Sequence, residues 1–123
     1  MINYEIIPTY NLYIGLNDKD TYKQIINDDF AMQLVRDTVS NIVGGATFTK
    51  SFGHWVDEFG NETSETTIVV KITATDDEHI ERICAKLNHA LNQNCIMVEK
   101  SEVQIAFVWF VWTNSVWKFD LIF

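Results

Sequence analysis

Histidine and carboxylate side chains crowd together at two places in this 123-residue chain. His54 stands just before Asp57 and Glu58, and Asp76, Asp77, Glu78 and His79 are consecutive. These are metal-ligand types, but neither group has the spacing of a known site. The second group is the one that opens a helix, where acidic residues meet unpaired backbone amides. Neither group is therefore read as a metal site.

Nucleophilic chemistry lacks its parts. No Gly-x-Ser-x-Gly elbow is present, and Cys95 has no activating partner near it in the sequence. Cys84 falls on the apolar face of a helix, as a buried thiol does. His79 and His89 sit near opposite sides of that same helix. Val43-Gly44-Gly45-Ala46 reads as a helix stop, so no glycine loop is available to cradle phosphate. No nucleophile, base and orienter come together. The expectation is a protein that is not an enzyme and carries no cofactor.

Binding without turnover is better supplied. Trp55, Trp109 and Trp112 offer faces on which a nucleotide base can stack. Arg36, Lys50 and Arg82 are the cations available for phosphate, with His54 beside Trp55. Glu78 and Arg82 are four residues apart, a spacing that favours an ion pair on the helix surface.

These residues ride on a regular alternation of elements. A strand is expected over 10–16, followed by a polar turn at 17–20. The next element is a helix over 29–43, capped by Asp28 or Asp29, with Phe30, Leu34, Val35, Val39 and Ile42 as its apolar stripe. A hairpin follows, with strands over 46–56 and 66–75 around a polar loop at 57–64. Ile68, Val70 and Ile72 share one face of its second strand. Thr75-Asp76-Asp77-Glu78 is a capping box that opens a second helix, whose Ile80, Ile83, Cys84, Leu87 and Leu91 keep the helical period. Beyond it, 96–98 and 103–112 read as separate strands divided by the charged run 99–102, and 116–123 alternates as a last strand. The order is that of an α+β, ferredoxin-like βαββαβ two-layer sandwich with a C-terminal β-hairpin extension. One domain spans 1–123, with its core over about 10–107 and the extension over 108–123.

Aromatic residues crowd that extension: Phe107, Trp109, Phe110, Trp112, Trp117, Phe119 and Phe123. Strand alternation sends them to both faces, more than one layer of helices can cover. A patch of this kind marks an interface, and a homo-oligomer is expected. Nine basic against seventeen acidic residues give a formal charge of -8, which opposes binding to nucleic acid. The start of the chain is not a signal peptide, and the apolar run 105–112 is too short to span a membrane. A cytoplasmic protein is expected.

The runs Leu12-Tyr13-Ile14-Gly15-Leu16, Gly45-Ala46-Thr47, Gly53-His54-Trp55-Val56-Asp57, Glu65-Thr66-Thr67-Ile68-Val69-Val70, Ile80-Glu81-Arg82-Ile83 and Gln93 resemble a family of small bacterial proteins of unknown function. The shared pattern is YxGL…GxT…GxWxD…ExTxVVxI…IExI…Q, and it covers about 10–98. The pattern lies on a strand, a hairpin with a tryptophan and a helix, so the resemblance implies the fold and not an activity. In size, acidity and its two-helix, one-sheet build the chain also resembles the Thoeris anti-defence proteins of the first type, phage sponges for a cyclised ADP-ribose signal. That resemblance implies a nucleotide-like ligand held by an oligomer without turnover. No binding residue is carried over from it. Two other readings stay open. One is an acidic inhibitor of a basic partner, of the anti-restriction or anti-CRISPR kind. The other is a small enzyme with His54 as acid or base.

Overall fold

The computed structural model describes residues 1–113 and 116–122, with side chains described as far as residue 109. The elements are β1 (Glu5–Gly15), α1 (Asp28–Val43), β2 (Thr47–Val56), β3 (Glu62–Thr73), α2 (Asp77–Ala90), β4 (Met97–Ile105), β5 (Phe107–Thr113) and β6 (Val116–Ile122). Strands β2, β3, β1 and β4 form one antiparallel sheet in that order, while β5 and β6 pair in a separate two-stranded sheet. The fold is thus the expected α+β, ferredoxin-like sandwich followed by a β-hairpin. No helix among the described residues is long and apolar enough to cross a membrane.

Alternation along the strands builds the core. Tyr10, Leu12 and Ile14 of β1 and Ile68, Val70 and Ile72 of β3 point to the helical layer. There they meet Val35 and Val39 of α1 and Ile83 and Leu87 of α2. Burying each aliphatic side chain of this size contributes roughly 1.5–3 kcal/mol. The alternate residues of the same strands, among them Tyr13, Gly15, Glu65 and Thr67, face away from the helices.

Several local expectations shift. The cap of α1 is Asn27, whose side chain accepts from the amide of Phe30 at 2.8 Å; Asp28 and Asp29 occupy the first turn instead. The buried stripe of α1 is Ala31, Val35 and Val39. Small Ala31 lets the helix approach the sheet, and Phe30 is left 60% exposed on the flank. Gly44 ends the helix with φ 83°, as its position after the apolar stripe predicts. Asp76, not Thr75, caps α2, accepting from the amide of His79 at 2.9 Å. Glu78 and Arg82 do not form an ion pair among the described residues.

The largest shift is in β4, which runs straight through the charged residues 99–102 to a break at Ala106. As an edge strand β4 pairs only with β1, and Glu99, Lys100 and Glu102 stand in water, where edge strands accommodate charge readily.

Candidate functional site

Four strand ends meet at one corner of the helix-free sheet face. The end of β1 supplies Tyr13 and Gly15, the end of β2 Trp55, the start of β3 Glu65, and the start of β4 Met97. Loop residues 17–22 and 93–95 rise around them. Together they enclose a cavity of about 410 Å³, within the range that takes a small organic ligand.

The floor of this cavity depends on two glycines. A Cβ at Gly15 would lie 2.5 Å from the carboxylate of Glu65, so only glycine lets that carboxylate rest against β1. At Gly53 a Cβ would lie 2.8 Å from Thr67 Oγ1 and 3.1 Å from the indole of Trp55. The ring therefore lies over the bare backbone of its own strand, with Thr67 buried beneath it (5% exposed).

Glu65 is held from two sides. Trp55 Nε1 donates to Oε1 at 2.7 Å, and the backbone amide of Asn17 donates to Oε2 at 3.0 Å. Each carboxylate oxygen has two lone pairs, so both keep acceptor capacity for a ligand. Tyr13, Tyr22 and Trp55 line the surroundings with aromatic surface, and the charged lining groups are Asp18, Lys19 and Glu65.

The rim is fastened to the end of α2. Asn92 Nδ2 donates to Asp18 Oδ2 at 2.7 Å and to Asp20 Oδ2 at 2.9 Å, while the amide of Lys19 donates to Asn92 O at 3.0 Å. Gln93 Nε2 donates to the carbonyl of Asn17. Asp18 also accepts from the amides of Asp20 and Thr21. The hydrogen bond from Asn92, and after it those amides, hold the Asp18 carboxyl below its ordinary pKa. Tyr22, at the top of the rim, has φ 60°, a conformation that a residue with a side chain rarely adopts.

Of the residues singled out from sequence, the structure brings Trp55 alone to this cavity among the described side chains. Lys50 points to the helical layer and pairs with Asp28 Oδ2 at 3.1 Å. His54 lies on the face opposite Trp55, its Nδ1 3.4 Å from Ser64 Oγ. Arg36 is on α1 and Arg82 on α2, on the other side of the sheet. Trp109 is on β5, 53% exposed, as Phe107 is at 58%. The side chain of Trp112 lies outside the described residues, as do those of Phe110, Trp117, Phe119 and Phe123 of the expected aromatic interface.

Tyr13, Gly15, Gly53, Glu65 and Gln93 are not among the binding residues expected from residue type, although all five stand in the pattern YxGL…GxWxD…ExTxVVxI…Q. Taken locally, that pattern marks a fold. The structure shows that it also converges on one cavity, and this convergence was the signal available in the sequence.

A family model described as "Protein of unknown function (DUF3574)" matches residues 9–107. No curated protein matches the sequence. Among solved structures, the chain is similar to a phage SAM lyase in complex with S-methyl-5'-thioadenosine, with a TM-score of 0.57 and 18% identity over 80% of this chain and 88% of that one. The phage SAM lyase in its apo state gives 0.56 and 18% over 86% and 94%. At this identity the likeness shows the fold. The expectation that the chain is not an enzyme is thereby overturned, because a lyase is built on the same frame. The Thoeris resemblance gains no support from these matches.

Proposed function

The chain belongs to the DUF3574 family of proteins of unknown function, and from its cavity we propose that it binds a small adenosine thioether or sulfonium and acts on it as an enzyme. The observation that carries this reading is the Glu65 carboxylate, fixed by Trp55 Nε1 and the Asn17 amide inside an aromatic cavity. A carboxylate so placed accepts the hydroxyls of a ribose, as acidic residues do in nucleoside sites. Tyr13, Tyr22 and Trp55 offer their rings to the purine and to a positively charged sulfur. The bound S-methyl-5'-thioadenosine of the lyase of similar fold supports the same ligand class.

A narrower reading, capture of a cyclised ADP-ribose-type signal, is less well served by this lining. Such a ligand brings phosphates, and the charged residues of the described lining are one cation, Lys19, and two carboxylates, Asp18 and Glu65. Self-association belongs to the proposal as well, supported by the exposed rings of Phe107 and Trp109 on the C-terminal hairpin.

Calorimetry with S-methyl-5'-thioadenosine and with S-adenosylmethionine tests the ligand, and mass spectrometry of the second mixture tests turnover. The expected result is binding of the thioether and its appearance as a product from the sulfonium, as the S–C bond to the aminobutyrate arm breaks and that arm's own carboxylate closes on the carbon to leave as a lactone; both are lost in Glu65→Ala. Silence with both compounds, alongside tight binding of a cyclic ADP-ribose, would replace this reading with signal capture. Native mass spectrometry reads the oligomer, and a monomer at micromolar concentration would remove that part.

A further inference from the structure

A second cavity, of about 450 Å³, runs between α2 and the edge strand β4. It shares Asn94 and Cys95 as a wall with the first cavity, but its charged groups and Asn88 are its own. Asp77, Glu81 and Asn88 lie along one side of α2. With a rise of 1.5 Å per residue, Glu81 stands about 6 Å beyond Asp77, and Asn88 about 10 Å beyond Glu81. Between and opposite them the lining is apolar: Ile80 and Cys84 on the helix, Ile96 and Val98 on the strand side.

The single lysine in this lining is already engaged. Lys100 Nζ lies 3.1 Å from Asp77 Oδ1 and 5.4 Å from the centroid of the Tyr10 ring. Tyr10 donates its hydroxyl to the same Asp77 oxygen at 2.6 Å. Asp77 Oδ2 and the Glu81 carboxylate take part in no hydrogen bond or ion pair among the described residues. Asn88 Oδ1 is buried without a partner. An unpaired buried acceptor destabilises the fold, and a donor on a ligand recovers that loss.

We propose that this groove binds a linear aliphatic polyamine. Its ammonium groups donate to the free acceptors at Asp77, Glu81 and Asn88, and its methylene chain lies along Ile80, Cys84, Ile96 and Val98. The lining follows α2 for about 16 Å from Asp77 to Asn88, with apolar residues between these stations, and its spare groups are acceptors with excess negative charge. An anion would meet two carboxylates. A compact cation would leave the apolar length unused. The chain's net charge of -8 attracts polycations toward it.

Titration calorimetry with spermidine, 1,4-diaminobutane and butylamine, on the whole chain, is the test. Spermidine is expected to bind at one site per chain, more tightly than the diamine and far more tightly than butylamine. Glu81→Gln and Asn88→Leu are each expected to weaken spermidine about tenfold, the weight of one charge-assisted hydrogen bond. Circular dichroism verifies that both variants fold. Equal binding of butylamine overturns the proposal, as does wild-type affinity in both variants. So does displacement of spermidine by millimolar magnesium to the same degree in wild type and variants, which marks diffuse attraction to an acidic surface. These substitutions leave the Trp55–Glu65 cavity intact, so the two functional readings stand or fall separately.

Discussion

Trp55 and Glu65 are diagonal neighbours across the β2–β3 ladder, joined by a 2.7 Å hydrogen bond from indole Nε1 to Oε1. In the register, Trp55 faces Thr63 and Gly53 faces Glu65. Diagonal side chains on one sheet face come within reach of long residues. What closes the gap here is the missing side chain at Gly53, over which the ring leans, and at Gly15, against which the carboxylate rests.

Glu65→Gln keeps the shape, but in either orientation its NH2 sets donor against donor, meeting Asn17 N–H when its oxygen accepts from Trp55 and Trp55 Nε1–H when it is flipped. The expected stability loss is about 1 kcal/mol for the weakened pair. Ligand affinity or turnover falls by more, on the order of tenfold or greater. Chemical denaturation and calorimetry on the same samples check the split.

Gly15→Ala puts a methyl group where the carboxylate lies. Because that carboxylate ends a flexible side chain, the fold accommodates the change, and the cost appears as lost binding rather than lost stability. Gly53→Ala meets the buried Thr67 and the Trp55 ring, which yield less readily, so an overpacking cost of roughly 1–3 kcal/mol in unfolding free energy is expected. Urea titrations of both variants show whether the two glycines divide in this way.

Asn92 carries φ 49° and fastens the rim through Asp18 and Asp20. Asn92→Gly suits that backbone and removes the side-chain bonds, whereas Asn92→Ala removes the bonds and keeps the strain. Both variants are expected to speed amide exchange over residues 18–23. The alanine variant should be the less stable by about 1 kcal/mol.

Acid should loosen the same rim. The folded pKa of Asp18 is depressed, chiefly by the Asn92 hydrogen bond. Its contribution is therefore fully present above the unfolded carboxyl pKa, about 3.9, and is lost as pH falls through the lower folded value. Amide exchange at residues 19–23 is expected to hold steady from neutral pH down to about 4 after correction for intrinsic rates, and to accelerate below that. In Asn92→Gly the folded pKa rises toward the unfolded one, so the acceleration below pH 4 should shrink.

Much of the fold could be read from local pattern. Ile68, Val70 and Ile72 announce a strand with one buried face, and the period through Ile80, Ile83 and Leu87 announces a helix, because periodicity follows directly from backbone geometry. The start of the second helix, to within one residue of its cap at Asp76, and the stop at Gly44 are legible for the same reason. Legibility failed where a residue's neighbours are distant in the chain. Charged residues 99–102 look like a loop until β1 is placed beside them, and Phe30 looks like core until small Ala31 sets the helix against the sheet.

The sequence by itself determined the element order, the stop of the first helix at Gly44, the acidic surface and the membership marked by Tyr13, Gly15, Gly53, Trp55 and Glu65, since each depends on residue type and near spacing. It pointed to arginines and tryptophans as binding residues by type alone. Only the tertiary structure decided that Trp55 joins Glu65, and that Lys50 and His54 turn to the other face. The reason is physical: strand alternation assigns a face, and antiparallel register decides which residues share a corner of it. Register here joins Gly15 to Thr67 and Gly53 to Glu65, across separations that no local pattern encodes.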